Sequence, residues 1–373
     1  MSRLKGGSAA EAIGPSLLQK TSMSAEKNEK NSTSQRPVDI GGQAVLEGVM
    51  MKGPKAYAIA VRRPNGDIVV SRTPYEPLSK KHPWMGKPFI RGAVSFFTML
   101  GQGMKTLEES GRMLGAADEE PTKFELWLSK KLGKGVDKIV MGVAMVLAVV
   151  MSVGLFVLLP NIPTRLLTEA GWSPLAVNLL SGLIRTLLLI GYIWAVGKVP
   201  DMKRTFQYHG SEHKTVYCHE HGLPLTPENA QKFSRLHPRG GTSFLLITFI
   251  LSILLYTTID YIILALTGFN LSSNYLIKVG SRLLLLPLVT GVSYEVLKGL
   301  AHSETSVCRT LRWPGLQLQR LTTREPEDSM CEIAITSMDA ALNGLPEVPE
   351  EDKTPEGWVI LHQFRAPEEK ATA

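Results

Sequence analysis

The sequence predicts a membrane all-α bundle of about four transmembrane helices, with a small cytoplasmic α+β portion that includes an N-terminal β-hairpin. Two observations predict this class. Hydrophobic residues make up 44% of the 373 residues, but they are concentrated in long runs that are almost free of charge. Lysine and arginine cluster at only one end of each run. This distribution is typical of a multi-pass membrane protein.

The chain before the first apolar run divides into two parts. Residues 1–39 are rich in Ser, Lys, Glu and Gly and have no apolar signal-peptide core, so we expect a disordered tail. Residues 40–138 are expected to be a cytoplasmic region. Within it, Asn65-Gly66 lies between two β-prone runs, which indicates a hairpin with a type I′ turn. Residues 89–107 have apolar side chains at helical spacing and predict an amphipathic helix, on the membrane surface or packed on the bundle.

Four apolar runs define a predicted membrane region over residues 139–297. A span needs about 20 apolar residues to cross roughly 30 Å of hydrocarbon. The runs are residues 139–159, 174–197, 243–267 and 276–297. The first is the strongest, and the last contains Arg282, Pro287 and Glu295. A polar, His-rich insert separates the second and third runs over residues 200–241.

The positive charges predict the orientation of these runs. Lysine and arginine precede the first run, fill the insert and follow the fourth run, whereas the outer loops contain only Arg165. An even number of spans then places both termini in the cytoplasm, as expected for a multi-pass protein of the cytoplasmic membrane. This topology and anionic lipid explain the net charge of +7, so no nucleic-acid partner is expected.

The segment after the last run, residues 298–373, is predicted to be cytoplasmic and polar, with a short helix near residues 329–342 and a terminal tail. The 3 cysteines all fall in cytoplasmic segments, so they are expected to be reduced thiols.

The insert contains the strongest chemical motif. His209 and His213 flank Glu212 in the order H-x-x-E-H, which is the pattern of the inverted zincins. On a helix the two imidazoles lie on one face and can share a metal ion, with Glu212 as the catalytic base. The third ligand stays open between Glu295, at the cytoplasmic end of the fourth run, and His237. A divalent metal, with zinc as the candidate, would suit three such ligands. The competing interpretation is that the motif arises by chance and binds no metal.

Other polar residues have both structural and functional interpretations. Asp260 and Arg282 are predicted at similar depth in the membrane, where an ion pair would lock the bundle or line a substrate path. Arg185 lies nearer the bilayer centre and needs a polar partner. Glu47, in a glycine-rich segment, would complete a metal site or cap a local turn.

Four of these segments resemble the YqhQ family, bacterial membrane proteins grouped as a domain of unknown function. They are residues 41–54, 206–215, 237–244 and 302–326, within a similarity that extends from residue 40 to residue 326. The resemblance implies a metal-dependent enzyme and singles out Glu47, His209, Glu212, His213, His237 and Arg239. Gly240 stands where the family pattern has Cys, which disfavours a thiol ligand and favours a His and Glu site.

Together these patterns favour a membrane protein whose cytoplasmic metal site hydrolyses a peptide or lipid-linked substrate. The expected partners are the lipid bilayer and an unidentified substrate or membrane protein. The alternative is a non-catalytic scaffold or transport-related subunit that relies on Asp260, Arg282 and Arg185 within the bundle.

Overall fold

The computed structural model describes residues 40–115, 142–143, 146–148, 150–152, 154–238, 241–269, 271, 275–301 and 305–367. The predicted tail and seven of the 21 residues of the first predicted span, residues 139–159, lie outside these residues. The helices are α1 (Leu78–Lys81), α2 (Ile90–Met113), α3 (Leu159–Glu169), α4 (Pro174–Val196), α5 (Pro200–Glu220), α6 (Pro227–Gln231), α7 (Gly241–Thr267), α8 (Tyr275–Ala301), α9 (Ser306–Thr322) and α10 (Asp328–Asn343). Short 3₁₀ turns cover Pro83–Gly86 and Glu350–Asp352, and a π-helical turn covers Gly154–Leu158.

The β-portion is larger than the predicted hairpin. Five strands pair in sequence order as one antiparallel sheet. They are β1 (Gly41–Val45), β2 (Gly48–Lys52), β3 (Ala56–Arg62), β4 (Ile68–Pro74) and β5 (Val359–Leu361). The fifth strand comes from the predicted C-terminal tail and pairs with β4, with Val69 opposite Ile360. The N-terminal and C-terminal parts of the chain therefore share one sheet.

The predicted hairpin between β3 and β4 is confirmed, but its turn differs from the predicted type. The N–H of Gly66 donates to the carbonyl of Arg63 at 2.9 Å, so Pro64 and Asn65 are the central residues of the turn. Gly66, with φ of 95°, is the residue of this turn that has a positive φ. The pyrrolidine ring holds φ of Pro64 near −65°, which excludes a type I′ turn at that position.

Three described helices are long and apolar enough to cross a membrane: Leu175–Val196, Leu246–Thr267 and Val279–Leu300. Large side chains on them are exposed on the protein surface, among them Leu266 at 80% and Leu284 at 81% exposure. Such surfaces are typical of helices in lipid. The first predicted span is described only in part and is not among these three helices, so a count of four is not confirmed.

Two helices cover opposite faces of the sheet. Met330, Ile333 and Met338 of α10 pack against one face. The Ser337 hydroxyl joins the strands there, since it accepts from the N–H of Met51 at 3.0 Å and donates to the carbonyl of Ala58 at 2.9 Å. On the other face, Met113 at the end of α2 packs among buried strand residues.

The amphipathic helix predicted over residues 89–107 is confirmed as α2 and packs on the bundle. A Cβ atom on Gly92 would lie 2.9 Å from the Cα of Gly291, so the absence of a side chain lets α2 approach α8 closely. α2 keeps large apolar side chains exposed, including Phe97, Leu100 and Met104. Its outer surface therefore matches a membrane interface.

Candidate metal centre

Helix α5 presents three side chains of the predicted motif on one face, because His209, Glu212 and His213 follow the i, i+3, i+4 spacing. One ligand atom from each lies within 4.8 Å of the others. Among the described residues, no other set of three or more His, Cys, Asp or Glu converges in this way. The structure thus brings these three predicted residues together.

Backbone carbonyls fix the protonation of both imidazoles. His209 Nδ1 lies 2.9 Å from the carbonyl oxygen of Thr322, and His213 Nδ1 lies 2.6 Å from that of Arg235. A carbonyl oxygen only accepts hydrogen bonds, so each Nδ1 carries the proton. In the neutral rings each Nε2 therefore offers a lone pair, which is the arrangement that outer-shell carbonyls give to metal-binding histidines.

The Glu212 carboxylate lies between the two Nε2 atoms. Its Oε2 is 3.8 Å from Nε2 of His209 and 3.7 Å from Nε2 of His213. These distances are too long for hydrogen bonds. The side chains of His209, Glu212 and His213 are only 20%, 7% and 3% exposed. Three acceptor atoms therefore converge in a region that is largely shielded from water.

Burial dominates the electrostatics of this group. It lowers the pKa of His209 to about 4, with a further lowering from the neighbouring His213. It also lowers the pKa of His213 to about 4. Burial raises the pKa of Glu212, which electrostatic interactions with the two neighbouring histidines, His209 and His237, and a hydrogen bond from the backbone of Gly42 partly oppose. Both imidazoles are thus neutral near pH 7 and available as ligands.

The segment that follows α9 crosses directly over α5 at Gly210. A Cβ atom on Gly210 would lie 2.1 Å from the carbonyl oxygen of Arg324. The N–H of Arg324 also donates to the carbonyl of Phe206 at 2.8 Å. The glycine inside the motif therefore permits the close crossing that brings the Thr322 carbonyl to His209.

His237 lies beside the group without belonging to it. Its ring centroid is 5.8 Å from that of His213, and its Nε2 is 3.2 Å from Oε2 of Glu220. The Gln319 side chain holds its backbone, accepting from the N–H at 2.8 Å and donating to the carbonyl at 2.7 Å. Sequence reasoning missed Gln319 and Glu220, since neither stands in a recognisable motif.

Glu295, the other candidate third ligand, is engaged elsewhere. Arg91 donates to its two carboxylate oxygens at 2.7 and 2.5 Å, and the N–H of Phe89 donates to it at 3.2 Å. The structure does not bring Glu295 to the group on α5. Arg239, also singled out by the sequence, lies outside the described residues, as does Gly240.

Glu47 lies at the turn between β1 and β2, where its φ is 46°. Its carboxylate accepts two hydrogen bonds from Arg204, at 2.6 and 2.5 Å. This ion pair attaches the turn to α5. The attachment helps to place Gly42 against the site, where an added Cβ would lie 2.7 Å from Cγ of Glu212. Of the two roles that the sequence left open for Glu47, the structure therefore matches the local one, at a turn.

Asp260 and Arg282 lie together within the bundle. Arg282 donates to the two carboxylate oxygens of Asp260 at 2.8 and 2.5 Å. A cavity of about 270 Å³ between α4, α7 and α8 is lined by Arg282, Arg185 and Ser181, among other residues. The three polar positions that the sequence singled out in the membrane therefore lie in one region.

Comparisons with known proteins agree with the resemblance seen in the sequence. The family model described as "Protein of unknown function (DUF1385)" matches residues 87–344. The "Uncharacterized protein YqhQ" of Bacillus subtilis (strain 168) is 34% identical over 326 residues, covering 87% of this chain and 98% of that protein. No solved structure matches the chain.

Proposed function

This chain belongs to the YqhQ family of unknown function (DUF1385), and we propose that it is a membrane protein that binds a divalent metal ion, zinc, for hydrolysis. His209, Glu212 and His213 are the proposed ligands. Glu212 then serves as the third ligand and not as the catalytic base that its motif suggests.

One observation supports this assignment above the others. Three hydrogen-bond acceptors converge although they repel one another, and among the described residues no lysine or arginine pairs with Glu212. The backbone of Gly42 donates one hydrogen bond to the Glu212 carboxylate, but this bond does not neutralise its charge. A buried carboxylate without a compensating cation costs more free energy than a buried neutral group. A divalent cation at the point of convergence would satisfy all three acceptors at once.

The spacing fits a metal of ordinary size. Ligand bonds of about 2.0–2.1 Å in tetrahedral geometry put ligand atoms roughly 3.3 Å apart. The observed separations of Glu212 Oε2 from the two Nε2 atoms are 3.7 and 3.8 Å, so a small inward movement of side chains suffices. Two imidazoles and one carboxylate are also a known catalytic zinc set.

The surroundings suit hydrolysis. A metal ion held there would supply Lewis-acid chemistry to a substrate carbonyl or phosphoryl group. His237 borders the same cavity as Glu212 and His213, and the Glu220 carboxylate orients its ring. We assign proton transfer to His237, because an imidazole held by a carboxylate suits that role.

The proposed setting is the cytoplasmic membrane, with the site and both termini on the cytoplasmic side. The apolar helices support a lipid environment. The excess of lysine and arginine around the site segments supports the orientation.

Metal content tests the proposal. The full chain, purified in mild detergent without chelators, should contain about one zinc per chain by multi-element mass spectrometry. His209→Ala, His213→Ala and Glu212→Gln should each lose it while circular dichroism shows unchanged helix content. His221→Ala is the matched control, since this histidine lies at the end of α5 outside the group and should leave metal content unchanged.

Two results would contradict the assignment: a metal-free wild-type protein that binds no added zinc, or variants of the three ligands that retain metal. If metal is present, hydrolysis is tested on ester, phosphoester and peptide substrates. Chelation and His237→Gln should each abolish turnover, with His237→Gln retaining its metal.

A non-catalytic scaffold or transport-related subunit is the second candidate, favoured by the cavity that Arg185 and Arg282 line within the bundle. If the Asp260–Arg282 pair only locks the bundle, exchanging the two residues should restore the thermal stability that Asp260→Asn loses. Loss of a transport phenotype in the stable exchanged variant would favour the second candidate.

A further inference from the structure

A cavity of about 620 Å³ extends from the candidate metal centre around the edge of the sheet. Glu212, His213 and His237 line one end of it, and Lys52, Tyr75 and Gln102 line another part. β1 is an edge strand of the described sheet, so no described strand pairs with Gly41 and Gly42 on the side that faces away from β2. These residues also have no side chains to fill the space. The cavity therefore extends past the edge strand from one face of the sheet to the other.

Lys52 places a positive charge in this cavity. Its Nζ donates to Oε1 of Gln102 at 2.9 Å and lies 3.7 Å from the centroid of the Tyr75 ring. In the described part of the chain no carboxylate forms an ion pair with it. Burial lowers the pKa of Lys52, which reflects the cost of holding its charge there. An ammonium group has three donors, so it retains capacity for an anion.

The charge lies close to the candidate metal centre in the strand register. Gly41 pairs with Lys52, and the neighbouring Gly42 pairs with Met51. Gly42 is also the residue that lies against Glu212. Successive strand residues point to opposite faces of the sheet. Lys52 therefore lies on the face opposite to Glu212, and the cavity that both residues line passes the edge strand between them.

Part of the remaining wall is apolar and belongs to α2 and α8, although Arg91, Ser95 and Thr98 of α2 also line the cavity. Val94, Phe96 and Met99 of α2 and Leu297 of α8 contribute to it. Met99 is also 55% exposed, on the side of α2 that matches a membrane interface. The cavity wall thus continues into the apolar surface of the protein.

We propose that this cavity binds an amphiphile whose anionic headgroup contacts Lys52 and whose apolar part lies along α2 and α8. A membrane lipid or lipid-linked molecule with a phosphate headgroup has this chemistry. The inference rests on the proposed function in one respect, because it names the substrate class of the proposed hydrolase. Headgroup binding itself needs only Lys52 and the cavity.

Titration of the full chain in detergent with dihexanoyl phosphatidic acid, below its micelle concentration, tests the proposal. We expect affinity at least tenfold higher than for dihexanoyl phosphatidylcholine. Lys52→Gln should lower affinity for phosphatidic acid about tenfold, and Lys52→Arg should retain most of it, since charge-assisted contacts to phosphate are the strong ones. Lys55→Gln is the matched control, because Lys55 is exposed two residues beyond Gly53 and does not line the cavity.

Equal affinity for the two lipids, or wild-type affinity in Lys52→Gln, would overturn the proposal. Inorganic phosphate that binds as tightly as phosphatidic acid would overturn the assignment to an amphiphile. Zinc is measured in the same samples. Lys52-dependent lipid binding in a metal-free protein would support this inference and refute the proposed metal function. Bound zinc without Lys52-dependent lipid binding would support the metal function and refute this inference.

Discussion

Replacing Gly210 by alanine tests how rigidly the segment after α9 holds the candidate metal centre. The new Cβ would lie 2.1 Å from the carbonyl oxygen of Arg324, whereas ordinary contact begins at 3.4 Å, so the segment must move by about 1.3 Å. Such overpacking costs about 1–3 kcal/mol. Alanine recovers about 1 kcal/mol of helix propensity over glycine. The net loss of unfolding free energy should therefore be at most about 2 kcal/mol.

The larger effect should fall on metal binding. The displaced segment continues directly from Thr322, the last residue of α9, whose carbonyl holds His209 Nδ1. Loss of such outer-shell contacts typically lowers metal affinity about 10–100-fold. Competition with a fluorescent zinc chelator measures this affinity, and thermal unfolding in detergent measures stability.

Gly101→Ala is the matched control for this substitution. Gly101 also lies inside a helix, but nothing lies within 4 Å of a Cβ built there. Alanine should stabilise α2 by up to about 1 kcal/mol and leave zinc affinity unchanged. If Gly210→Ala behaves like Gly101→Ala in both measurements, the crossing segment does not hold His209 as argued.

Two further predictions concern the folded state as a whole. In the metal-free protein His209 and His213 have pKa values of about 4, below the ordinary 6.5 of the unfolded chain, so the unfolded state binds more protons between these pH values. The contribution of these two histidines to the free energy of unfolding should therefore fall as pH is lowered from about 6.5 to 4, whereas the raised pKa of Glu212 acts in the opposite direction. The comparison with His213→Gln isolates the histidine contribution, because unfolding free energy measured in urea should decline less with falling pH in this variant. Removal of residues 346–373 takes away β5, whose Val359 and Leu361 are buried. The free energy of unfolding should fall by at least about 3 kcal/mol. An unchanged unfolding midpoint would contradict the role of β5.

Local signals in the sequence predicted several elements of the site. The motif spacing predicted a helix that presents His209 and His213 together, and α5 does so. The start of α6 also carries a local signal, since the Thr226 hydroxyl accepts from the N–H of Asn229 at 3.3 Å and Pro227 is the first helical residue. Residues 329–342 predicted α10. These signals depend on neighbouring residues only, so they survive in the folded protein.

Contacts between distant segments could not be predicted in the same way. The carbonyls of Thr322 and Arg235 fix the two imidazoles, but every residue has a carbonyl and nothing in the sequence marks these two. Glu295 seemed available as a ligand because its partner Arg91 lies 204 residues away in sequence. Strand β5 has only 3 residues, too few for a period-2 pattern to identify. Packing between segments decided each of these features.

The shared sheet also joins segments that are far apart in the chain. α2 ends with Met113 packed on one face of the sheet, and Arg204 attaches α5 to the β1–β2 turn through Glu47. Strand β5 adds the C-terminal part of the chain to the same sheet. The sheet therefore couples the candidate metal centre on α5 to the C-terminal part of the chain, so that a substitution which loosens β5 is expected to disturb both.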